Sequence, residues 1–345
     1  MSRELRILSY NIFMRPYLIK NNTNDHKGSR LRMIAERMTD FDIVCFQESF
    51  DIFTHRRQKL LAMAHENGFR FFATSPSPSF LANALIDCGL VVLSKFPIVQ
   101  SEFKMFSQGV HSDSLAKKGI LFVRVLVNEH YVNLFTTHTQ ASYVTLDPND
   151  AKPSCLKRVK QLFELKKFVD EVLSKVAGPQ DLNLVMGDFN VDALNTEYPY
   201  EFVMSKLDPI IASTIKPIYR NEYDFLSFAM NPPGSRFFAT DICLEVYKKH
   251  VATYGSIEIP ETVLTCKEDQ LKPQSLDHIF QIFDHLAGPN TRIKLAGFHV
   301  EPFLVSHKKV TQLSDHLALA SSFLLSSSLA PSSNFTPEAV PSTLP

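Results

Sequence analysis

Short apolar, β-branched runs alternate with amphipathic stretches along most of the chain. Leu5 to Phe13 reads as a strand, Arg30 to Met38 as a helix, and Phe41 to Phe46 as a buried strand. Thr54 to Asn67 has a helical pattern that stops at Gly68, a residue suited to the left-handed turn after a helix. Gly89 to Leu93, Ile120 to Val127 and Tyr131 to Thr136 are further strand-like runs. Asn128-Glu129-His130 between the last two predicts a hairpin. Ser154 is placed to cap the longest helix, along which Leu156, Val159, Phe163, Val169 and Leu173 recur near helical spacing. Leu182 to Met186, Leu276 to Ile282 and Leu317 to Leu324 complete the buried strands. Leu207 to Gln274 has few clear periods and reads as an insertion of loops with some helix. Core-grade strands at both ends of the pattern predict one closed domain over residues 1–325. The Ser/Pro/Thr-rich stretch 326–345 has almost no core-forming residues and is expected to be a disordered tail.

Composition narrows the class. Of 345 residues, 45% are hydrophobic and 21% charged, which excludes wholesale disorder. Lys+Arg 36 against Asp+Glu 36 leaves no net charge, which disfavours a nucleic-acid partner, since a polyanion calls for a basic stripe. The five cysteines are scattered without a CxxC, so neither a zinc site nor a disulfide framework is indicated, and Cys45 and Cys243 sit in apolar strings as buried thiols. No signal-peptide core follows Met1 and no run of about 18 apolar residues occurs. The expectation is a cytoplasmic or peripheral membrane protein, with secretion left open.

Polar groups then stand out by position. Asn11 interrupts Ile-Leu-Ser-Tyr-Asn-Ile-Phe-Met; Glu48 and His138 each end an apolar run; Asp188 and Asn190 end Leu-Val-Met-Gly-Asp-Phe-Asn. Asp277 precedes His-Ile-Phe, and Asp315-His316 opens the last run. Singly, each has a bland reading: a bulge Asn, a solvated strand-end Glu, a turn at Gly187-Asp188, a core histidine, a surface Asp-His pair. Together they argue otherwise, because unrelated accidents should not put a polar group after nearly every buried strand. In a layered sheet such residues can converge on one edge, and carboxylate and amide oxygens without soft ligands suit a hard cation such as Mg²⁺, with Mn²⁺ as its alternative.

Ser9-Tyr10-Asn11, Gln47-Glu48, Thr137-His138, Gly187-Asp188-Phe189-Asn190, Leu276-Asp277 and Ser314-Asp315-His316 follow the order seen in the endonuclease/exonuclease/phosphatase superfamily. The chain resembles that superfamily over most of residues 5–322. The resemblance implies an α/β fold, a four-layer α/β/β/α sandwich of two mixed β-sheets with helices outside, and metal-dependent cleavage of phosphate esters. In detail it looks like the neutral, bacterial-type sphingomyelinase C branch. Asn11-Ile-Phe-Met resembles that branch's Asn-Val-Tyr-Met, and Glu48-Ser-Phe-Asp its Glu-Val-Phe-Asp. Asp87-Cys88-Gly89 with the following strand is similar to its Asp-Gly-Gly segment, Lys118-Gly119 to its Lys-Gly, and Thr137-His138-Thr139-Gln140-Ala141 to its Thr-His-Leu-Gln-Ala. Cys88 departs from the Gly pair. Trp is absent, and where secreted members carry an aromatic membrane hairpin this chain has Phe298, Phe303 and Leu304, with two core strand positions the simpler reading.

The activity so implied is Mg²⁺-dependent hydrolysis of sphingomyelin, or a related phospholipid at a membrane surface, to ceramide and phosphocholine, by a monomer. The roles expected are metal ligation by Glu48 and Asn11 with Asp315 nearby, and proton abstraction by His316 oriented by Asp277. Asp188 would place the water, Asn190 and His138 would donate to the phosphoryl oxygens, and Asp87 and Lys118 are substrate-binding candidates by resemblance alone. The alternatives are a nuclease, deadenylase or inositol polyphosphate phosphatase on the same fold, or a catalytically dead lipid-binding module.

Overall fold

The computed structural model describes residues 2–16, 24–51, 54–77, 87–107, 109–110, 118–142, 151–215, 221–255, 263–265, 272–307 and 309–326. Twelve strands form two six-stranded mixed sheets. The first sheet contains β1 (Ser2–Met14), β2 (Ile43–Ser49), β3 (Phe71–Thr74), β4 (Val91–Ser94), β11 (Ile293–Glu301) and β12 (Ala318–Ser326), in the order β11-β12-β1-β2-β4-β3. The second contains β5 (Ile98–Met105), β6 (Gly119–Val127), β7 (His130–His138), β8 (Leu182–Asp188), β9 (Phe237–Asp241) and β10 (Asp277–Asp284), in the order β5-β6-β7-β8-β10-β9. Each sheet has one parallel pair at its centre, β1 with β2 and β7 with β8, and antiparallel pairs elsewhere.

The sheets pack face to face through Ile7, Ile43, Val123, Leu134, Leu184, Ile279 and Leu319. Helices cover their outer faces. On the first sheet, Leu31 and Ile34 of α1 (Lys27–Arg37) and Leu60 and Ala64 of α2 (Arg56–Glu66) pack on Leu8, Tyr10, Val44 and Phe46. On the second, Leu162, Leu165, Val169 and Val172 of α3 (Ala151–Val176) pack on Phe122, Phe135, Val185 and Phe280. Strands buried on both faces explain the near-continuous apolar runs in the sequence. The architecture is the expected four-layer α/β/β/α sandwich.

Local signals held where backbone chemistry dictates them. At the end of α2 the Phe69 and Gly68 amides return to the Ala64 and His65 carbonyls, with Gly68 at φ +88°, a left-handed turn that glycine adopts without steric cost. The β6–β7 hairpin turns on Asn128 and Glu129, with Asn128 at φ +56°.

Two expectations need correction. Ser154 is buried inside the first turn of α3 rather than capping it, because the helix already runs from Ala151. After α4 (Tyr200–Lys206), the segment 207–274 is not merely loops and helix: besides α5 (Pro209–Thr214), α6 (Glu222–Met230) and α7 (Ile242–Tyr247) it supplies β9, the edge strand of the second sheet. Phe-Phe-Ala-Thr-Asp has no period-2 alternation to mark it as a strand. Phe298 on β11 and Phe303 after it are core residues, whereas Leu304 is exposed. The expected tail lies outside the described residues from 327 on.

Candidate active site

Sheet register collects the polar strand-end residues. Across the second sheet, His138 pairs with Asp188 and Asp188 with Asp277, so the ends of β7, β8 and β10 set three polar side chains side by side. They share the parity of Leu134, Leu184 and Ile279 and therefore face the other sheet. Gly187, at φ +139°, permits this pairing: a Cβ there would lie 2.1 Å from the Thr137 carbonyl oxygen.

From the first sheet come Asn11, Glu48 and His316. The pairing of β1 with β2 shifts between Asn11 and Met14, where Phe13 adopts φ +53° and its amide donates to Asn11 Oδ1 at 3.1 Å. Alternation along β2 would send Glu48 outward with Phe46, toward the α1–α2 layer. Its own φ of +56° turns it back to Asn11 instead. Left-handed backbone at a residue with a long side chain is strained and persists because the surroundings hold it. One support is Gly89, whose carbonyl accepts from the Ser49 amide at 2.9 Å and where a Cβ would stand 3.1 Å from the Glu48 Cα. The Asp-Cys-Gly departure therefore leaves the glycine that geometry requires.

Asn11 Nδ2 is the hub. It donates to Asp188 Oδ2 at 2.9 Å and to Glu48 Oε1 at 3.3 Å, and lies 3.4 Å from His316 Nε2. His316 Nδ1 donates to Asp277 Oδ2 at 2.8 Å, while its Nε2 is 3.6 Å from Asp188 Oδ2. Thr253 Oγ1 donates to the same Asp277 oxygen at 2.7 Å and accepts from the Asp277 amide at 3.0 Å, and Tyr254 lies edge-on to the His316 ring. Asp188 Oδ1 accepts from the Asn190 amide at 2.9 Å, and Asn190, at φ +50°, donates from Nδ2 to the Thr139 carbonyl at 3.2 Å. Lys118 Nζ donates to His138 Nε2 at 2.6 Å, and that nitrogen is 3.4 Å from Asp188 Oδ2.

Burial sharpens these charges. It opposes a positive imidazole at His316, but Asp277 and Asp188 outweigh it and raise His316 to about 10. Burial also lifts Asp188 above its usual range, with Asp277 adding to it, and pushes Asp315 up to about 6 against the pull of His316 and Arg15. Burial, then Lys118 and His316, hold His138 well below an ordinary histidine, so it is neutral and its Nε2 accepts from Lys118.

Two candidates stand apart from this hydrogen-bonded group. Asp87 pairs with Arg57 of α2, Nη1 to Oδ2 at 2.6 Å, and burial pushes it up to about 6. Asp315 accepts from Ser314 Oγ at 3.2 Å. The residues that sequence reasoning missed are Thr253 and Tyr254, which lie in the stretch without periodicity, and Arg15, whose Nε is 3.9 Å from Glu48 Oε2. No sequence signal marks Thr253; its place follows from strand pairing far away in the chain.

Glu48 Oε2 is buried and, among the described residues, has no hydrogen-bond partner. A buried carboxylate oxygen faced only by Arg15 at 3.9 Å, with the Asp188 carboxylate on the same Asn11 amide, is the start of an oxygen donor set that fits a hard divalent cation.

Comparison with known proteins agrees with this geometry. The model of the Endonuclease/Exonuclease/phosphatase family matches residues 8–316. A sphingomyelinase of Dictyostelium discoideum is 30% identical over 362 residues, covering 88% of this chain and 75% of the relative. Sphingomyelinase C of Bacillus cereus is 26% identical over 204 residues, 56% of this chain and 59% of the relative, so this chain spans less than two thirds of that protein. A beta toxin variant from Staphylococcus aureus, solved with bound magnesium ions, superposes with a TM-score of 0.60 at 18% identity, over 94% of this chain and 100% of that one.

Proposed function

The chain belongs to the endonuclease/exonuclease/phosphatase family, in its sphingomyelinase branch, and from that premise we propose that it hydrolyses sphingomyelin to ceramide and phosphocholine with Mg²⁺ as its divalent ion. The observation that carries the reading is Asn11 Nδ2, which ties Glu48, Asp188 and His316 into one cluster although they lie far apart in sequence. Magnesium in the beta toxin and the leftover oxygen of Glu48 support the choice of ion.

Glu48 and Asn11 would hold the cation, with Asp315 behind them. When bound, it supplies positive charge to the phosphoryl oxygens and the leaving oxygen. In its neutral form, toward which a cation held beside it would shift it, His316 would take the proton from the attacking water at Nε2, while Asp277, itself held by Thr253, fixes the ring and stabilises its charged form. Asp188 orients that water from beside His316 Nε2. The expected donation by His138 is revised: its Nε2 accepts from Lys118, so the Lys118 ammonium and the Asn190 amide are the better donors to the phosphate. Asp87, tied to Arg57, acts on the shape of the rim rather than as a contact to phosphate.

The reading extends to one catalytic domain over 1–325 acting as a monomer at a membrane surface. No helix among the described residues is long and apolar enough to cross a membrane. A nuclease on the same fold is disfavoured by the zero net charge, and a dead module by the convergence of the carboxylates and His316.

The test is phosphocholine release from sphingomyelin vesicles with Mg²⁺, with and without chelator, beside single-stranded DNA and inositol polyphosphate. Chelator-sensitive release confined to sphingomyelin is expected. Equal or faster turnover of DNA would overturn the assignment. Glu48→Gln should move the Mg²⁺ titration to higher concentration, and an unchanged curve would remove Glu48 as a ligand.

A further inference from the structure

A second group of ligand-type side chains lies on the opposite face of the second sheet. Asp277 and His278 are neighbours on β10, so alternation sends Asp277 to the inter-sheet rim and His278 toward the outer layer, the side of Phe280. There His278 meets Asp241, the last residue of β9, and His250, which follows α7. One ligand atom from each of the three lies within 4.8 Å of the others. His278 Nδ1 is 3.6 Å from Asp241 Oδ2. Nitrogen and oxygen ligands of a tetrahedral zinc stand roughly 3.4 Å apart when its bonds are about 2.0–2.1 Å.

The surrounding bonds orient these groups. His278 Nε2 donates to the Val191 carbonyl at 3.1 Å, which orients the ring so that Nδ1 faces Asp241 Oδ2, where a bound cation would take the place of the proton that the pair shares. A backbone carbonyl on the far ring nitrogen is the usual support of a metal-bound histidine. Among the described residues, Nδ1 of His250 is buried without a hydrogen-bond partner, and Nδ1 of His278 has none beyond its ion pair with Asp241. Asp241 Oδ1 is occupied by the Cys243 and Leu244 amides at 2.8 and 3.3 Å, while Oδ2 accepts from Tyr223 Oη at 2.8 Å and faces the histidines. The Tyr223 ring packs edge-on to His250 at 4.1 Å. Two imidazoles and one carboxylate suit a borderline ion better than Mg²⁺, which prefers oxygen.

We propose that Asp241, His250 and His278 bind one Zn²⁺, with a water completing the tetrahedron, as a cross-link between β9, β10 and the segment after α7. Half-buried His250 gives the ion its way in. This site is independent of the catalytic reading, since none of its three residues belongs to the Asn11 cluster.

The experiment uses the full chain, stripped with chelator, returned to excess Mg²⁺, and supplied with Zn²⁺ alone. Metal retained after gel filtration is counted by mass spectrometry, and Co²⁺ replaces Zn²⁺ to report tetrahedral geometry through its visible absorption. One Zn²⁺ per chain is expected, both in the parent protein and in the Glu48→Gln/His316→Ala double variant. His250→Ala should weaken retention by more than about tenfold, since losing a ligand exceeds the roughly 10–100-fold cost of losing an outer partner. His250→Gln provides a second variant, and circular dichroism checks that each is folded. No retained Zn²⁺ in the parent protein would mean that Asp241 and His278 form only an ion pair. Equal retention in folded His250 variants would place the metal elsewhere. Either result overturns the proposal.

Discussion

The chemistry of single residues turns on His316. With Nδ1 on Asp277 and Nε2 near Asp188 and Asn11, it has one nitrogen to be oriented and one to act. His316→Ala should lower kcat by about 10²–10⁴ while leaving KM nearly unchanged, as loss of a proton acceptor does. Asp277→Asn tests the orienting bond by a different route. Asp277 raises His316, so its removal lowers the histidine's pKa. The acidic limb of the kcat/KM profile, where His316 becomes protonated, should then move to lower pH. An unmoved limb in an otherwise weakened enzyme would mean that His316 is not the group titrating there.

At the scale of elements, the rim depends on two parallel strand pairs whose ends carry it. Gly187→Ala puts a methyl group against the Thr137 carbonyl at a backbone angle that L-residues avoid, so β7 and β8 must separate at His138 and Asp188. The expected cost is about 2–4 kcal/mol in urea unfolding, at the upper end for overpacking plus backbone strain, with a loss of turnover beyond what the unfolded fraction explains. Much of this was legible in the chain. Asn11, His138, Asp188 and His316 interrupt or end apolar runs, and apolar runs buried on both faces are hard to mistake. Glu48 was legible as a strand end but not in its direction, because alternation aims it at the helices and only a left-handed turn brings it back. Thr253 and Tyr254 were not legible. They lie where no period exists, and their positions are set by pairing with Gln274 and His316 rather than by local preference. β9 escaped for a related reason: five residues on a sheet edge need little hydrophobic pattern.

For the whole molecule, Arg30 is the tie. Fully buried on α1, it donates to the carbonyls of Asp25, Ile12, Phe13 and Leu313, so one guanidinium joins the bulged end of β1 to the loop before His316. Arg30→Leu would leave four carbonyls unsatisfied and should cost roughly 3–5 kcal/mol, the range for removing one member of a buried charged network. A melting temperature within a degree of the parent protein would show that water replaces the guanidinium at no cost.

Each sheet contributes three side chains to the cluster: Asn11, Glu48 and, just before β12, His316 from one, and His138, Asp188 and Asp277 from the other, joined directly by Asn11 Nδ2 on Asp188. Their layers meet through apolar side chains that can slide before they part. Turnover is thus a vernier for that sliding. On gentle heating or in dilute urea, an offset of about an ångström is enough to cost catalysis heavily while every strand keeps its ladder. Inactivation should run ahead of the far-ultraviolet signal, and the gap between the two curves measures how loosely one slab rides on the other.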